Sequence, residues 1–121
     1  FNHLVFVPPP EAAERETILR LKLRGKPTGA LDLARIAAET KYFSGADLEQ
    51  VVRDAVELAM ERTLETGEIQ PITQEDLKKA LKGRKATTLD WFATAKNYAI
   101  FSDVNRDYQV VLDYMKRHGI K

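Results

Sequence analysis

The sequence has 121 residues, 44% hydrophobic and 31% charged, which is typical of a globular chain with one domain, or one domain and an extension. Its 19 basic and 18 acidic residues leave a net charge of +1, so charge gives no general argument for binding to nucleic acid or membranes. The absence of cysteine excludes disulfides, thiolate metal sites and a cysteine nucleophile, and it suits a reducing compartment.

The first element is a short apolar run, Leu4–Val7, that ends at three consecutive prolines. Such a run predicts a strand or an extended arm. A lone strand cannot satisfy its own backbone groups, and no second convincing strand follows in the sequence. Because the chain also starts with Phe1 rather than methionine, we expect a piece of a larger protein.

Six helical segments follow, each indicated by apolar residues at helical spacing and by signals at its ends. Pro10 suits the first turn of a helix over Glu11–Arg24. The longest helix is predicted to begin after Ser44, an N-cap with Asp47 three residues later, and to end at Gly67. The other helices are predicted to begin near residues 32, 73, 87 and 107, with Thr73–Asp76 as the cap of the fourth helix and a polar turn over Ser102–Arg106 before the last.

These elements predict an all-α fold, a small helical bundle with one short N-terminal strand or arm and two extra C-terminal helices. The last two helices form the aromatic part of the chain, and we interpret Trp91 and Phe92 as core packing. Thr87 or Thr88 is the predicted cap of the fifth helix. The basic residues of Gly83–Lys85 are interpreted as a solvated helix end.

The sequence gives no reason to expect catalysis or a metal site. It has no phosphate loop and no strand that ends in paired carboxylates for Mg²⁺. Its two histidines, His3 and His118, lie at opposite ends, and no spacing suggests a nucleophilic triad. The most suggestive stretch is the start of the long helix, where Gly45 and Ala46 would let another group approach the backbone closely.

Three segments, in this order and spacing, resemble one family. They are Val5–Glu11 followed by Arg15, Leu33–Thr40, and Phe43–Leu48 followed by Val52, Ala55 and Ala59. From about Phe1 to Leu81 the chain resembles the C-terminal helical lid of an AAA ATPase, most closely in the group that contains katanin, spastin and valosin-containing protein. The resemblance implies a lid domain over residues 1–86 and a helical extension over residues 87–121 that packs on it.

The resemblance also implies four residues near the nucleotide. Gly45 and Ala46 match the second-sensor position, where this branch has small residues in place of an arginine. Ile18 matches an apolar position that lines the adenine pocket, whereas Lys22 stands where several members have histidine. The implied cofactor is ATP or ADP with Mg²⁺ in the full-length protein, because the phosphate loop, the Mg²⁺ carboxylates and the first sensor would lie in a separate large domain.

A lid of this kind would close over the nucleotide through a hinge at Val7–Pro10 and contact the next subunit of a ring, a homohexamer. ATP hydrolysis would then drive the remodelling of protein substrates in the cytoplasm, without a membrane. We expect the 121 residues alone to be an inactive part of an ATP hydrolase, with no cofactor bound.

Two alternatives remain open from the sequence. The chain could be a stand-alone helical protein-interaction module, whose aromatic last two helices bind a partner helix or peptide. It could also bind nucleic acid through the basic residues Lys78, Lys79, Lys82, Arg84 and Lys85. This cluster is short and lacks a recognition motif, and a solvated helix end explains it equally well, so we do not expect a nucleic acid partner.

Overall fold

The computed structural model describes residues 8–101 and 106–120, and it places their side chains except for residues 97–101 and 106–109. Six helices cover Ala12–Leu23 (α1), Leu33–Ala38 (α2), Gly45–Thr66 (α3), Gln74–Leu81 (α4), Thr87–Phe101 (α5) and Arg106–His118 (α6). The fold is therefore all-α, as predicted. The predicted strand Leu4–Val7 and most of the predicted turn after Phe101 lie outside the described residues. Within the described part, none of the helices has the length and apolar composition needed to cross a bilayer.

Two of the predicted helix caps, at Ser44 and Thr73, are confirmed as reciprocal capping boxes. At α3 the Asp47 backbone N–H donates to Ser44 Oγ over 3.1 Å, and the Ser44 N–H donates to the Asp47 carboxylate over 3.0 Å. Thr73 and Asp76 form the same pair at α4. Gly67 ends α3 with a φ of 75°, a left-handed conformation that glycine adopts without strain. These short-range signals therefore fix both ends of α3.

Helices α1 to α4 enclose a single apolar core, which we call the lid core. Its buried residues are Leu19, Leu23, Ile36, Phe43, Leu48, Val51, Val52, Ala55, Ala59, Ile72, Leu77, Ala80 and Ala86. Two loops meet beside it in a parallel bridge, where Gly29 N–H donates to the Ile72 carbonyl and Ile72 N–H donates to the Pro27 carbonyl, each over 2.9 Å. The sequence predicts these loops only as separate connectors, because no local residue pattern indicates that they pair.

Buried Arg15 joins α1 to the end of α2. Its guanidinium donates to the Ala37 carbonyl over 2.7 and 3.0 Å, to Thr40 Oγ1 over 3.2 Å and to the Pro10 carbonyl over 2.8 Å. A cation at the C-terminal end of a helix satisfies carbonyls that have no intrahelical donor. The burial lowers the pKa of Arg15 from its ordinary value.

Helices α5 and α6 form a hairpin with a small core of its own, the hairpin core. It contains Phe92, Ala95, Val111, Tyr114 and Met115, and the Phe92 and Tyr114 rings stack with centroids 5.4 Å apart. Trp91 is 40% exposed, so only part of the predicted aromatic packing is found. The interpretation of Gly83–Lys85 as a solvated end is wrong for Arg84, which is half-buried and forms an ion pair with Asp54 of α3.

Candidate site at the start of helix α3

The start of α3 has a glycine that the chain itself does not require. Gly45 is the first residue of α3, and a Cβ built on it would meet no atom within 4 Å among the described residues. Its φ lies outside the left-handed region, so the backbone conformation does not demand glycine either. Ala46 beside it is exposed. The two small residues leave the backbone open to a group from outside this chain.

The backbone donors at this helix start are only partly used. The capping box satisfies the N–H of Asp47, whereas the N–H groups of Gly45 and Ala46 have no intrahelical partner by the geometry of a helix end. The Asp47 carboxylate lies within the same turn and offsets part of the positive end of the helix dipole. The site therefore suits close contact with a polar, hydrogen-bonding surface better than it suits a lone anion.

Ile18 and Lys22 lie on a face of α1 that adjoins this end of α3. Ile18 is half-buried against the lid core, and exposed Lys22 has its Nζ 3.8 Å from Glu49 Oε1. Lys22 and Lys26 line one groove together with Glu49 and Val56 of α3. Ile18 lies about one turn before Lys22 on α1, and Gly45 lies about one turn before Glu49 on α3. The sequence positions are therefore compatible with a shared site, which stays a prediction.

The residues at this end of the molecule suit binding contacts rather than metal coordination. Among the described residues no group of three or more His, Asp or Glu side chains is arranged to hold a metal ion. An adenine ring needs a flat apolar wall and a close backbone approach; half-buried Ile18 is an apolar residue of the first kind, and the open backbone at Gly45 is of the second. These residues can therefore form one side of a nucleotide site.

The sequence missed how firmly this helix start is joined to the C-terminal hairpin. The Asp47 carboxylate accepts the Thr87 hydroxyl, with distances of 3.0 and 3.2 Å to its two oxygens, and the Thr87 backbone N–H over 3.2 Å. The Thr88 hydroxyl donates to the Tyr42 carbonyl. The prediction that Thr87 or Thr88 caps α5 is thus wrong: both lie within α5, and their hydroxyls bond to the segment before and within α3. Such pairs, 40 or more residues apart, leave no local signal.

The end of α6 reaches the residues that precede α1. The Tyr42 hydroxyl donates to the His118 carbonyl over 2.7 Å, and the His118 ring stacks on Tyr114. A groove of about 270 Å³ between α6 and the chain entry to α1 is lined by Pro9, Pro10, Glu11, Ala12, Arg15, Ala38, Lys41, Tyr42, Tyr114 and His118. Burial raises the pKa of Tyr114 above its ordinary value. The hairpin therefore bonds to the segment before α3 and shares a groove with Pro9 and Pro10 of the predicted hinge.

Comparison with known proteins identifies the bundle. Residues 30–79 match the family model of the AAA+ lid domain. The chain contains the lid domain of the AAA ATPases. The lid is 36% identical, over 69% of this chain, to a cell division cycle protein 48 homolog of Archaeoglobus fulgidus. It is 40% identical, over 67% of this chain, to ATPase family gene 2 protein homolog B of Rattus norvegicus.

The solved structures agree on the fold. A katanin structure, from work on katanin self-assembly, superposes on 72% of this chain with a TM-score of 0.64 and 22% sequence identity. This chain covers 35% of that katanin chain, and it covers only 11% of each of the two relatives named above. The lid is therefore similar to a small part of much longer ATPases.

Proposed function

We propose that this chain is the lid of an ATP-driven AAA ATPase. It closes over a nucleotide held by a separate α/β domain, contacts the neighbouring subunit of a ring, and couples ATP hydrolysis to the remodelling of a protein substrate in the cytoplasm. The match to the lid domain of the AAA ATPases supports this role. The ring, a homohexamer, and the hinge at Val7–Pro10 belong to the proposal.

The observation that carries the proposal is the open backbone at Gly45. A glycine that neither packing nor φ explains is most useful where another surface must come close. Ile18 would provide an apolar contact to the adenine, and Lys22 would lie at the edge of the site, where its long stem can adjust. The described residues offer no cluster for Mg²⁺, so the metal would be held by the nucleotide phosphates and by the other domain.

The test uses the protein that contains this chain together with its ATPase domain. Gly45→Phe places a bulky side chain in the open space. We expect the KM for ATP to rise about tenfold or more, which corresponds to a loss of about 1.4 kcal/mol of apparent binding free energy. Ala93→Phe, at an exposed position on α5, is the matched control and should leave the KM unchanged. An unchanged KM in Gly45→Phe, with folding intact by circular dichroism, would contradict the proposal.

A stand-alone interaction module remains the second candidate, because exposed apolar residues at the far end of α3 favour a protein partner. The gene upstream of Phe1 separates the two candidates. A phosphate-loop motif in the same reading frame supports the ATPase lid, and a start codon close to Phe1 supports the module.

A further inference from the structure

The most exposed large apolar side chains of the lid lie at the C-terminal end of α3 and in the loop that follows it. Met60 is 57% exposed, Leu64 82% and Ile69 76%. Met60 and Leu64 lie one turn apart on α3, and the Gln70 N–H donates to Thr63 Oγ1 over 2.9 Å, which folds the loop after Gly67 back along the helix. We call Met60, Leu64 and Ile69 the α3-end patch.

An apolar groove of about 230 Å³ adjoins the patch. The surface exposed in the groove is almost entirely apolar, because the polar residues of the lining contribute mainly their carbon atoms. The lining residues are Lys26, Pro27, Val56, Ala59, Met60, Thr63, Ile69, Gln70 and Ile72. Helix α3 has 22 residues and is about 33 Å long. The groove lies towards its C-terminal end, whereas the proposed nucleotide contact, Gly45, is at its N-terminal end. The nucleotide proposal therefore does not account for it.

Acidic side chains surround the patch on the exposed side. Glu57, Glu61, Glu65 and Glu68 are exposed, and within the described part of the chain none has a basic nitrogen within 4 Å. The nearby arginines are engaged, Arg53 with Glu49 and Arg62 with Asp76. Arg84 is likewise paired with Asp54, so the remaining bases near these carboxylates are Lys26 in the groove lining and, across a separate groove, Lys79, Lys82 and Lys85.

We propose that the α3-end patch binds a basic amphipathic helix of another protein. Its apolar residues would enter the groove beside Met60 and Ile69, and its Lys and Arg side chains would pair with the carboxylates. The partner is a helix because the apolar and acidic residues of α3 form two adjacent stripes at i, i+4 spacing along the helix axis, a surface that matches a second helix lying alongside.

A second copy of this chain fits the patch less well than a foreign helix. The basic residues Lys78, Lys79, Lys82 and Lys85 are the natural counterpart by charge. The apolar residues of α4 are turned to the lid core, where Leu77 and Ala80 are buried and Leu81 is partly buried, so α4 has no free apolar face to insert into the groove. Charge complementarity alone would give a weak, salt-sensitive contact.

The test titrates the 121-residue chain, labelled with ¹⁵N, with a short amphipathic helix of leucine and lysine. We expect amide shifts confined to residues 53–72, and a matched peptide with glutamate in place of lysine should bind at least about tenfold more weakly. Leu64→Ser should weaken binding of the lysine peptide about tenfold, as expected for an apolar anchor. Leu21→Ser removes an exposed leucine from α1, at a position that is 52% exposed, and should leave binding unchanged.

The double variant Glu61→Gln/Glu65→Gln tests the contribution of charge to binding separately from that of apolar contact. It should fold normally, because both side chains are exposed. We expect several-fold weaker binding and a smaller dependence on salt. Equal binding of the two peptides, shifts centred on α4 or the hairpin, or concentration-dependent dimerisation through Leu64 without peptide would each overturn the proposal.

Discussion

The lid and the hairpin are held together in different ways. The lid core contains thirteen buried residues from α1 to α4 and their connectors, whereas the described part of the hairpin core contains five. Hydrogen bonds from Thr87, Thr88 and Tyr42 join the two regions. Because apolar burial is the larger source of stability, the lid should fold without the hairpin, and the hairpin should depend on the junction. The following substitutions are ways to break or sharpen this difference.

Leu48→Ala should have the largest effect, because it removes a side chain with no exposed surface from the lid core. We expect a loss of about 2–5 kcal/mol of unfolding free energy, measured by urea denaturation. Both regions should lose structure together, since α5 is bonded to the start of α3. Leu64→Ala, at an 82% exposed position, is the control and should change stability by less than about 0.5 kcal/mol.

Phe92→Ala should unfold the hairpin and spare the lid. Phe92 is 1% exposed and stacks on Tyr114, so its removal leaves the hairpin core without its largest fully buried side chain. Hydrogen exchange should show fast amides in α5 and α6, while α1 to α4 keep their protection. Equal loss of protection in all six helices would mean that the two regions form one cooperative unit.

Asp76→Asn tests the pH dependence of the lid. Hydrogen bonds from Arg62, at 2.6 and 2.7 Å, hold the pKa of Asp76 below its ordinary value of 3.8. The carboxylate therefore stabilises the fold at neutral pH, and this contribution is lost as the pH falls below 3.8 and through the folded-state pKa. We expect Asp76→Asn to lose about 1.5–3 kcal/mol at pH 7 and to show a smaller further loss in acid than the parent chain. Parallel pH curves would contradict this.

Thr87→Val should have the smallest effect, and one confined to the junction. It removes the hydroxyl bond to Asp47 and should cost about 0.5–1.5 kcal/mol, seen as faster exchange in α5 with no change in α1. Thr17→Val is the matched control, because the Thr17 hydroxyl bonds only within α1. Faster exchange in the lid core of Thr87→Val would show that the lid relies on the hairpin.

Local signals in the sequence predict the helices well. The starts of α1 to α6 lie within two residues of those expected, and the capping pairs at Ser44 and Thr73 are found as predicted. Partners that are distant in sequence could not be predicted. Arg84 lies 30 residues from Asp54, so it was taken for a solvated base. Buried Arg15, 22 residues from Ala37, gave no signal because arginine is ordinarily a surface residue.

The predicted site is a different case. The sequence correctly places Gly45 at a helix start, but only the structure reveals that no neighbour within the described chain explains this glycine. The contribution of Ile18, Lys22, Gly45 and Ala46 to nucleotide binding stays a prediction, because it depends on the separate domain that we propose to hold the nucleotide.

The most direct measurement is the structure of the complete ATPase with a bound ATP analogue. We predict that the backbone of Gly45 and Ala46 lies within about 4 Å of the nucleotide, with Ile18 against the adenine ring. A structure in which the start of α3 faces solvent, or lies more than about 10 Å from every nucleotide atom, would contradict the proposed role of this helix start.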